Sequence, residues 1–203
     1  MRAHDIITTK LTYTRDLSRI LAARCLGCHG PNDSIPLTNY QQVRPWAVSI
    51  KEQVLSRAMP PWGAVKGFGN LQPDLGLSEE EIMIVAAWVI GGAPRGDPAM
   101  LPKPSQAVAA PHVPVLREAV TVDTRTKLSR PLQLGGIKPT SEARTDSARL
   151  IAILPDGKVV PLLWLYQFDP AWKRTFTFRA PLSLPAGTIV QSSTPLRVVL
   201  AAP

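Results

Sequence analysis

Cys25-Leu26-Gly27-Cys28-His29 is the stretch whose residue types and spacing can do chemistry. Two thiols three positions apart, followed at once by an imidazole, form the attachment pattern of a c-type haem. On one helical turn both thiols can add to vinyl groups along one porphyrin edge, and the next residue then offers an axial ligand to the iron. The chain has two cysteines, and both stand in this pattern. A structural zinc site would need a further Cys/His pair at suitable spacing, which the other histidines, His4 and His112, do not supply. A thioredoxin-like redox pair belongs at a strand-to-helix turn, whereas the residues before Cys25 read as a helix. The expectation is one haem c, covalent through Cys25 and Cys28, with His29 as a ligand of the iron.

The elements that must position this stretch follow along the chain. Residues 14–24 read as a short amphipathic helix, with Thr14 as N-cap, Asp16 in the first turn and Leu17, Ile20 and Leu21 at helical spacing. Residues 30–34 then break the pattern as a turn. In c-type haem sites a proline carbonyl just past the motif commonly receives the Nδ1–H of the ligating histidine. Pro31 and Pro36 both stand in range for that role. Residues 38–41 read as a capping box opening a second helix, which Pro45 interrupts and the stripe Trp46, Ile50, Val54 and Leu55 carries to about Ala58.

Met59-Pro60-Pro61-Trp62 comes next, two prolines ending the helix and stiffening the chain. A methionine at the end of an apolar stripe is ordinarily a core residue. Here the haem already has one protein ligand, and a thioether held by a rigid loop suits the second axial position. Met83 falls inside a helix, Met100 beyond the domain and Met1 at the terminus, so Met59 is the expected ligand. Residues 63–77 form a Gly-rich loop, expected against the haem edge. Ser78-Glu79-Glu80-Glu81 is a second capping box, opening a helix that Gly91-Gly92 and Pro94 close. Its three glutamates suit the positive end of a helix dipole and read as structural. The expected haem-binding set is Cys25, Cys28, His29, Met59, Pro31, Pro36 and Trp62, with His29 and Met59 on the iron.

Composition bounds the rest. In 203 residues there are 21 prolines, an excess that suggests many turns and a linker. Residues 1–97 carry ten Lys/Arg and nine Asp/Glu, so the net charge of +8 lies almost wholly in the second half. Such asymmetry fits redox protein partners with acidic surfaces. The basic residues are scattered among apolar ones and not clustered with aromatics, which argues against nucleic acid. No run approaches the length of a transmembrane segment. The first twenty residues lack the apolar core of a secretory signal. Covalent haem attachment normally occurs outside the cytoplasm, so a periplasmic or extracytoplasmic protein is expected, its leader missing from the chain as written.

Residues 98–114 are punctuated by Pro98, Pro102, Pro104, Pro111 and Pro114 and read as a semi-extended linker. From Val115 the pattern turns to period two, with strands expected over 115–122, 131–137, 148–154, 158–166, 174–179, 188–192 and 196–201. Pro155-Asp156-Gly157 is a strong hairpin signal. No Cys or His follows His112, and the acidic residues are isolated, so no active site is expected in this half. The expected class is α+β: an N-terminal all-α haem domain over 1–97, the linker over 98–114, and a small antiparallel β-sandwich or barrel-like accessory domain over 115–203.

The first part resembles the monohaem cytochrome c modules of multidomain proteins in Acidobacteria and related soil bacteria. The likeness lies in residues 13–21, 25–29, 35–37, 42–46, 59–62 and 77–92. It implies thioether links at Cys25 and Cys28, His29 as proximal ligand and Met59 as distal ligand. The second part is similar to a fragment of the C-terminal sandwich of copper type II ascorbate-dependent monooxygenases, through residues 154–157, 161–164, 168–172 and 184–188. That family binds copper through histidines just before the hairpin. Pro139-Thr140-Ser141-Glu142, the corresponding stretch here, has none. No copper and no monooxygenase activity are therefore expected.

The function expected is that of an electron carrier and not an enzyme, with His/Met axial ligation. Two rivals stand beside it. In one, Met59 is displaceable and the protein is a haem enzyme or gas sensor. In the other, the β domain is a binding or assembly module and haem is a structural clip.

Overall fold

The computed structural model describes residues 10–103, 115–140, 142 and 144–203. The N-terminal half forms four short helices, α1 Ser18–Arg24, α2 Tyr40–Val43, α3 Ala47–Leu55 and α4 Glu79–Ile90. Eight strands follow: β1 Arg117–Asp123, β2 Arg125–Lys127, β3 Leu132–Pro139, β4 Thr145–Ile153, β5 Val159–Phe168, β6 Phe176–Leu184, β7 Ile189–Ser192 and β8 Arg197–Ala202. Among the described residues no helix is long and apolar enough to cross a membrane.

Two compact units result. One comprises the described parts of Met1–Pro60 and Leu77–Ala109, the other those of Pro61–Gly76 and Ala110–Pro203. In the first, α1 follows directly on a π-helical turn, Tyr13–Leu17. Thr12, not Thr14, caps that turn: its hydroxyl accepts from the Arg15 N–H, while Thr14 is buried. The second cap also moves by one residue, to Asn39, whose side chain accepts from the Gln42 N–H. Ser78 and Glu81 make both bonds of a capping box at the start of α4. The core gathers Leu17, Leu21, Val43, Val54, Val85 and Trp88, and the Trp88 indole N–H donates to the Pro94 carbonyl at 2.9 Å.

In the second unit the strands form two antiparallel four-stranded sheets, ordered β1-β8-β3-β6 and β2-β7-β4-β5. Inward residues of both sheets share one core, including Leu134, Ile137, Leu150, Leu163, Val190 and Leu200. Alternation along each strand accounts for most of this, and a register shift between Leu134 and Gly136 in β3 lets both Leu134 and Ile137 be buried. At the β4–β5 turn Gly157, at a positive φ of 86°, closes the hairpin by donating to the Leu154 carbonyl. The short β2 has no expected counterpart, since three residues are too few to show a period.

The expected class, α+β with an all-α N-terminal cytochrome domain over 1–97, is overturned. The helices run to seven, four, nine and twelve residues, and eight strands make the chain mostly β. Residues 61–76 lie inside the expected haem domain in sequence, yet belong to the β unit. The reason is local chemistry. Trp62, Ala64 and Leu71 are apolar residues in an extended, Gly/Pro-broken stretch that cannot continue a helix, and they bury themselves in the core between the sheets. Of the expected linker, 104–114 lie outside the described residues; Pro98–Met100 form a 3-10 turn.

Candidate functional site

Helix α1 hands the chain directly to the two cysteines. The Cys25 N–H donates to the Leu21 carbonyl at 2.8 Å. The Cys25 carbonyl then accepts from the N–H groups of Cys28, at 3.0 Å, and His29, at 2.8 Å. Both thiols and the imidazole therefore hang from one closed turn. Both cysteines are free; Cys25 is half-buried and Cys28 exposed. Burial pushes the Cys25 thiol up to about 11, with Cys28 and Glu81 adding to the shift and Arg24 opposing it. A nucleophilic redox cysteine has the opposite property, a lowered pKa that populates the thiolate.

His29 is held from two sides by the loop that follows it. Its Nδ1 lies 3.0 Å from the Ile35 carbonyl oxygen. A carbonyl can only accept, so Nδ1 carries the proton and the lone pair resides on Nε2. The His29 carbonyl in turn accepts from the Leu37 N–H at 3.0 Å. Asp33 shapes the loop between: its Oδ1 accepts from the Ile35 N–H at 2.9 Å and stands 3.6 Å from the imidazole Nδ1.

Neither Pro31 nor Pro36 supplies the carbonyl expected of it. Ile35, the residue before Pro36, does so instead. A residue before proline is confined to extended conformations, and this was the available signal. Arg24, the last residue of α1, donates to Glu81 at 3.0 Å. The same glutamate accepts from the Ser78 N–H at 2.7 Å. One carboxylate thus caps α4 and ties it to the helix that presents the cysteines.

Met59 belongs to the same unit as His29. Its N–H donates to the Gln53 carbonyl at 3.1 Å, so the chain turns back on the end of α3. The side chain is 40% exposed. Trp46, Val48 and Leu55 are also exposed, and Val48 and Leu55, seven apart, share one face of α3. Residues 46–59 therefore carry a concentration of uncovered apolar side chains.

Trp62 is elsewhere. It is only 4% exposed, in the core of the β unit, and its ring meets Phe176 edge-on with centroids 4.9 Å apart. Its Nε1–H is buried without a hydrogen-bond partner. The expected placing of Trp62 in a haem-contact set, and of the Gly-rich loop against the haem edge, gives way to packing between two sheets. Indole and loop backbone are engaged by β5 and β6, whose edges would otherwise be unpaired.

His4 and His112 lie outside the described residues, as does Ser141 in the stretch that corresponds to the copper site. Among the described residues no group of three or more His, Cys, Asp or Glu side chains could hold a bare metal ion. No protein-family model matches the chain, and comparison with curated proteins gives no match.

Proposed function

We propose that this protein carries single electrons through one covalently attached haem c, outside the cytoplasm. The observation that carries the reading is the turn at 25–29, with the imidazole proton committed to the Ile35 carbonyl. The donors fit the group. Cys25 and Cys28 would hold it through thioether bonds and His29 Nε2 would face the iron. A haem asks the protein for one or two axial donors only, so a cluster of three ligating side chains is not required. Met59 would supply the second donor, a soft neutral sulfur.

When bound, the haem supplies a one-electron couple whose potential thioether ligation raises. The chain's own residues do the rest. The 30–37 loop orients the imidazole and sets its tautomer through the hydrogen bond to Ile35. Arg24 and Glu81 hold the turn's supporting helix. The exposed apolar residues Trp46, Val48 and Leu55 offer surface of the kind that marks a binding site. The basic second half suits partners with acidic surfaces. This reading keeps the resemblance to monohaem cytochrome modules for the motif and its ligands, without their all-helical domain.

The test is attachment. Coexpression with haem-maturation enzymes should give a coloured protein whose pigment survives denaturation. Acid–acetone extraction that strips the colour completely overturns the covalent link, and Cys25→Ala with Cys28→Ala should abolish retention.

A further inference from the structure

The two sheets of the β unit differ in how the charges on their outer faces are answered. On the β1-β8-β3-β6 sheet Lys138 pairs with Glu118 at 3.1 Å and Arg197 with Asp123 at 2.5 Å. The other cations of that sheet, Arg117 and Arg179, stand on its two edge strands. On the β2-β7-β4-β5 sheet Arg125, Lys127 and Arg149 are all exposed, and among the described residues none of the three meets a carboxylate. These four strands hold one acidic residue, Asp146, out of phase with Arg149.

Register sets these cations around an apolar centre. Ile153 lies opposite Ile189 on β7 and Val159 on β5, and Ile189 lies opposite Lys127 on β2. Residues opposite one another share a face. Ala152 and Val190 point into the core, so this row points out. Arg149 lies opposite Trp164, and its guanidinium covers the indole, 4.1 Å from the ring centroid. The indole is itself fixed: its N–H donates to Ser147 Oγ at 3.0 Å, and Phe68 meets the ring edge-on with centroids 5.9 Å apart. A guanidinium stacked in this way keeps its in-plane N–H groups for a bidentate carboxylate. The strand edges offer less. Residues 61–76 run as a strap along β5, where Val65 N–H donates to the Trp164 carbonyl, and along β6, where Gln72 N–H donates to the Thr177 carbonyl, each at 2.9 Å. A peptide cannot add to an edge already paired, so β5 presents its face.

We propose that the outer face of the β2-β7-β4-β5 sheet docks a protein that presents carboxylates around an apolar patch, with Arg149 as the anchor. Arginine and tryptophan together, apolar side chains beside them and cations at the rim are the make-up of a protein interface. A second copy of this chain would bring like charges together. Four strands by four outward rows also cover only about 400 Å², the scale of a transient encounter and not of a permanent dimer. Calling the partner a redox protein rests on the electron-carrier reading above; the surface itself does not.

The test uses the full-length chain and a short synthetic peptide alternating glutamate with valine; the same peptide with lysine in place of glutamate is the control. The acidic peptide should bind, more weakly as salt rises, and should move the NMR signals of the Trp164 indole N–H and of the Ile153 and Ile189 amides. Arg149→Ala should weaken binding about tenfold. Arg149→Lys should recover little of it, since an ammonium offers no planar fork. Arg125→Ala with Lys127→Ala should cost about threefold, chiefly in association rate. Arg117→Ala with Arg179→Ala, on the other sheet, should leave binding as in the wild type, and every variant should keep the wild-type thermal unfolding. No binding of the acidic peptide, equal binding of the basic one, or shifts confined to the other sheet overturns the surface. Tighter binding of heparin, oligothymidylate or phosphatidylserine vesicles, lost in Arg149→Ala, overturns a protein as the partner. The haem-free chain with Cys25→Ala and Cys28→Ala should bind the acidic peptide as the wild type does. A wild type that takes up no haem yet binds the peptide refutes the carrier and leaves the surface standing; one that holds haem and binds no peptide does the reverse.

Discussion

The β unit finishes its own core, whereas the helical unit does not. Between the two sheets Leu134, Ile137, Leu150, Leu162, Leu163, Leu165 and Leu200 are wholly buried. In the helical unit Leu17, Val43 and Trp88 are buried as completely. Yet Trp46, Val48, Leu55 and Met59 stay exposed within fourteen residues of one another. A unit of short helices has too little chain to cover both faces of α3. The difference teaches where a large flat apolar cofactor would add burial and where it would add none.

Large-to-small substitutions on the two sides test that contrast. Leu150→Ala should destabilise the β unit by about 3 kcal/mol, since transfer and cavity terms add at a wholly buried site. Leu55→Ala should change the haem-free helical unit by no more than about 0.5 kcal/mol. After haem attachment the same variant should cost more, because the side chain would then be covered. Denaturant unfolding, followed by probes specific to each unit, measures this. Equal losses at Leu55 with and without haem would mean that its face is not the covered one.

The strap gives the next effect. Gly69 has φ +81°, and a β-carbon there would collide with the Leu162 carbonyl oxygen; Gly67, at φ +82°, faces open space. Gly67→Ala should cost about 1–2 kcal/mol from backbone strain alone. Gly69→Ala should cost more and act on the strap's pairing. Hydrogen exchange at the Gln72 and Arg179 amides should accelerate further in Gly69→Ala than in Gly67→Ala. Equal acceleration would break the claim that close approach to β5, and not φ, requires glycine at 69.

How far the sequence shows these things follows from range. The attachment turn needs only residues 21–29, and its spacing is legible because the chemistry itself dictates it. The Ser78–Glu81 capping box is equally local. Seven of the strands answer to period-two runs, with edges displaced by no more than three residues, except that β6 continues five residues beyond its expected end, through Pro181. Residues 61–76 escaped because their partners, β5 and β6, lie about a hundred residues onward. A Gly/Pro-rich stretch with two isolated bridges carries no period of its own. Proximity in sequence to Met59 points it toward the haem, whereas Trp62 is buried between the sheets. Ile35 is hidden for a smaller reason: the accepting carbonyl belongs to the residue before Pro36 and not to the proline itself.

Trp62 allows the contrast to be sharpened at one side chain. Its buried Nε1–H has no partner, so losing the N–H relieves a penalty while losing the ring removes packing on Phe176. Trp62→Ala should cost about 3–5 kcal/mol. Trp62→Phe should stay within about 1.5 kcal/mol, as a swap that keeps an aromatic body. Thermal unfolding of the haem-free protein measures both. A large loss in Trp62→Phe confined to the haem-loaded protein would return the indole N–H to the cofactor.

The smallest expected effect lies at the start of the helical unit and is a matter of pH. Burial tends to raise the Asp16 carboxyl, but the hydrogen bonds from Arg15 and the Thr12 N–H, with the charges of Arg15 and Arg19, outweigh it and hold the group below its ordinary 3.8. The geometry agrees: Thr12 N–H donates to Oδ2 at 2.8 Å and Arg15 Nε–H to Oδ1 at 3.0 Å. A carboxyl whose folded value is depressed stabilises the fold fully above its unfolded value, and that contribution fades as pH falls through the folded one. Asp16→Asn should therefore lower stability by about 0.5 kcal/mol at neutral pH, the scale of a partly exposed ion pair. The difference from wild type should hold steady down to about pH 4 and vanish below it. In the β unit Asp169 is also held low, first by the Ala171 N–H and then by Arg144, so acid weakens both units in the wild type. Asp16→Asn should flatten the acid limb of the helical unit alone. A variant that instead gains its deficit as pH falls, or shifts the limb of the β unit, would show that Asp16 is not what holds the first turn.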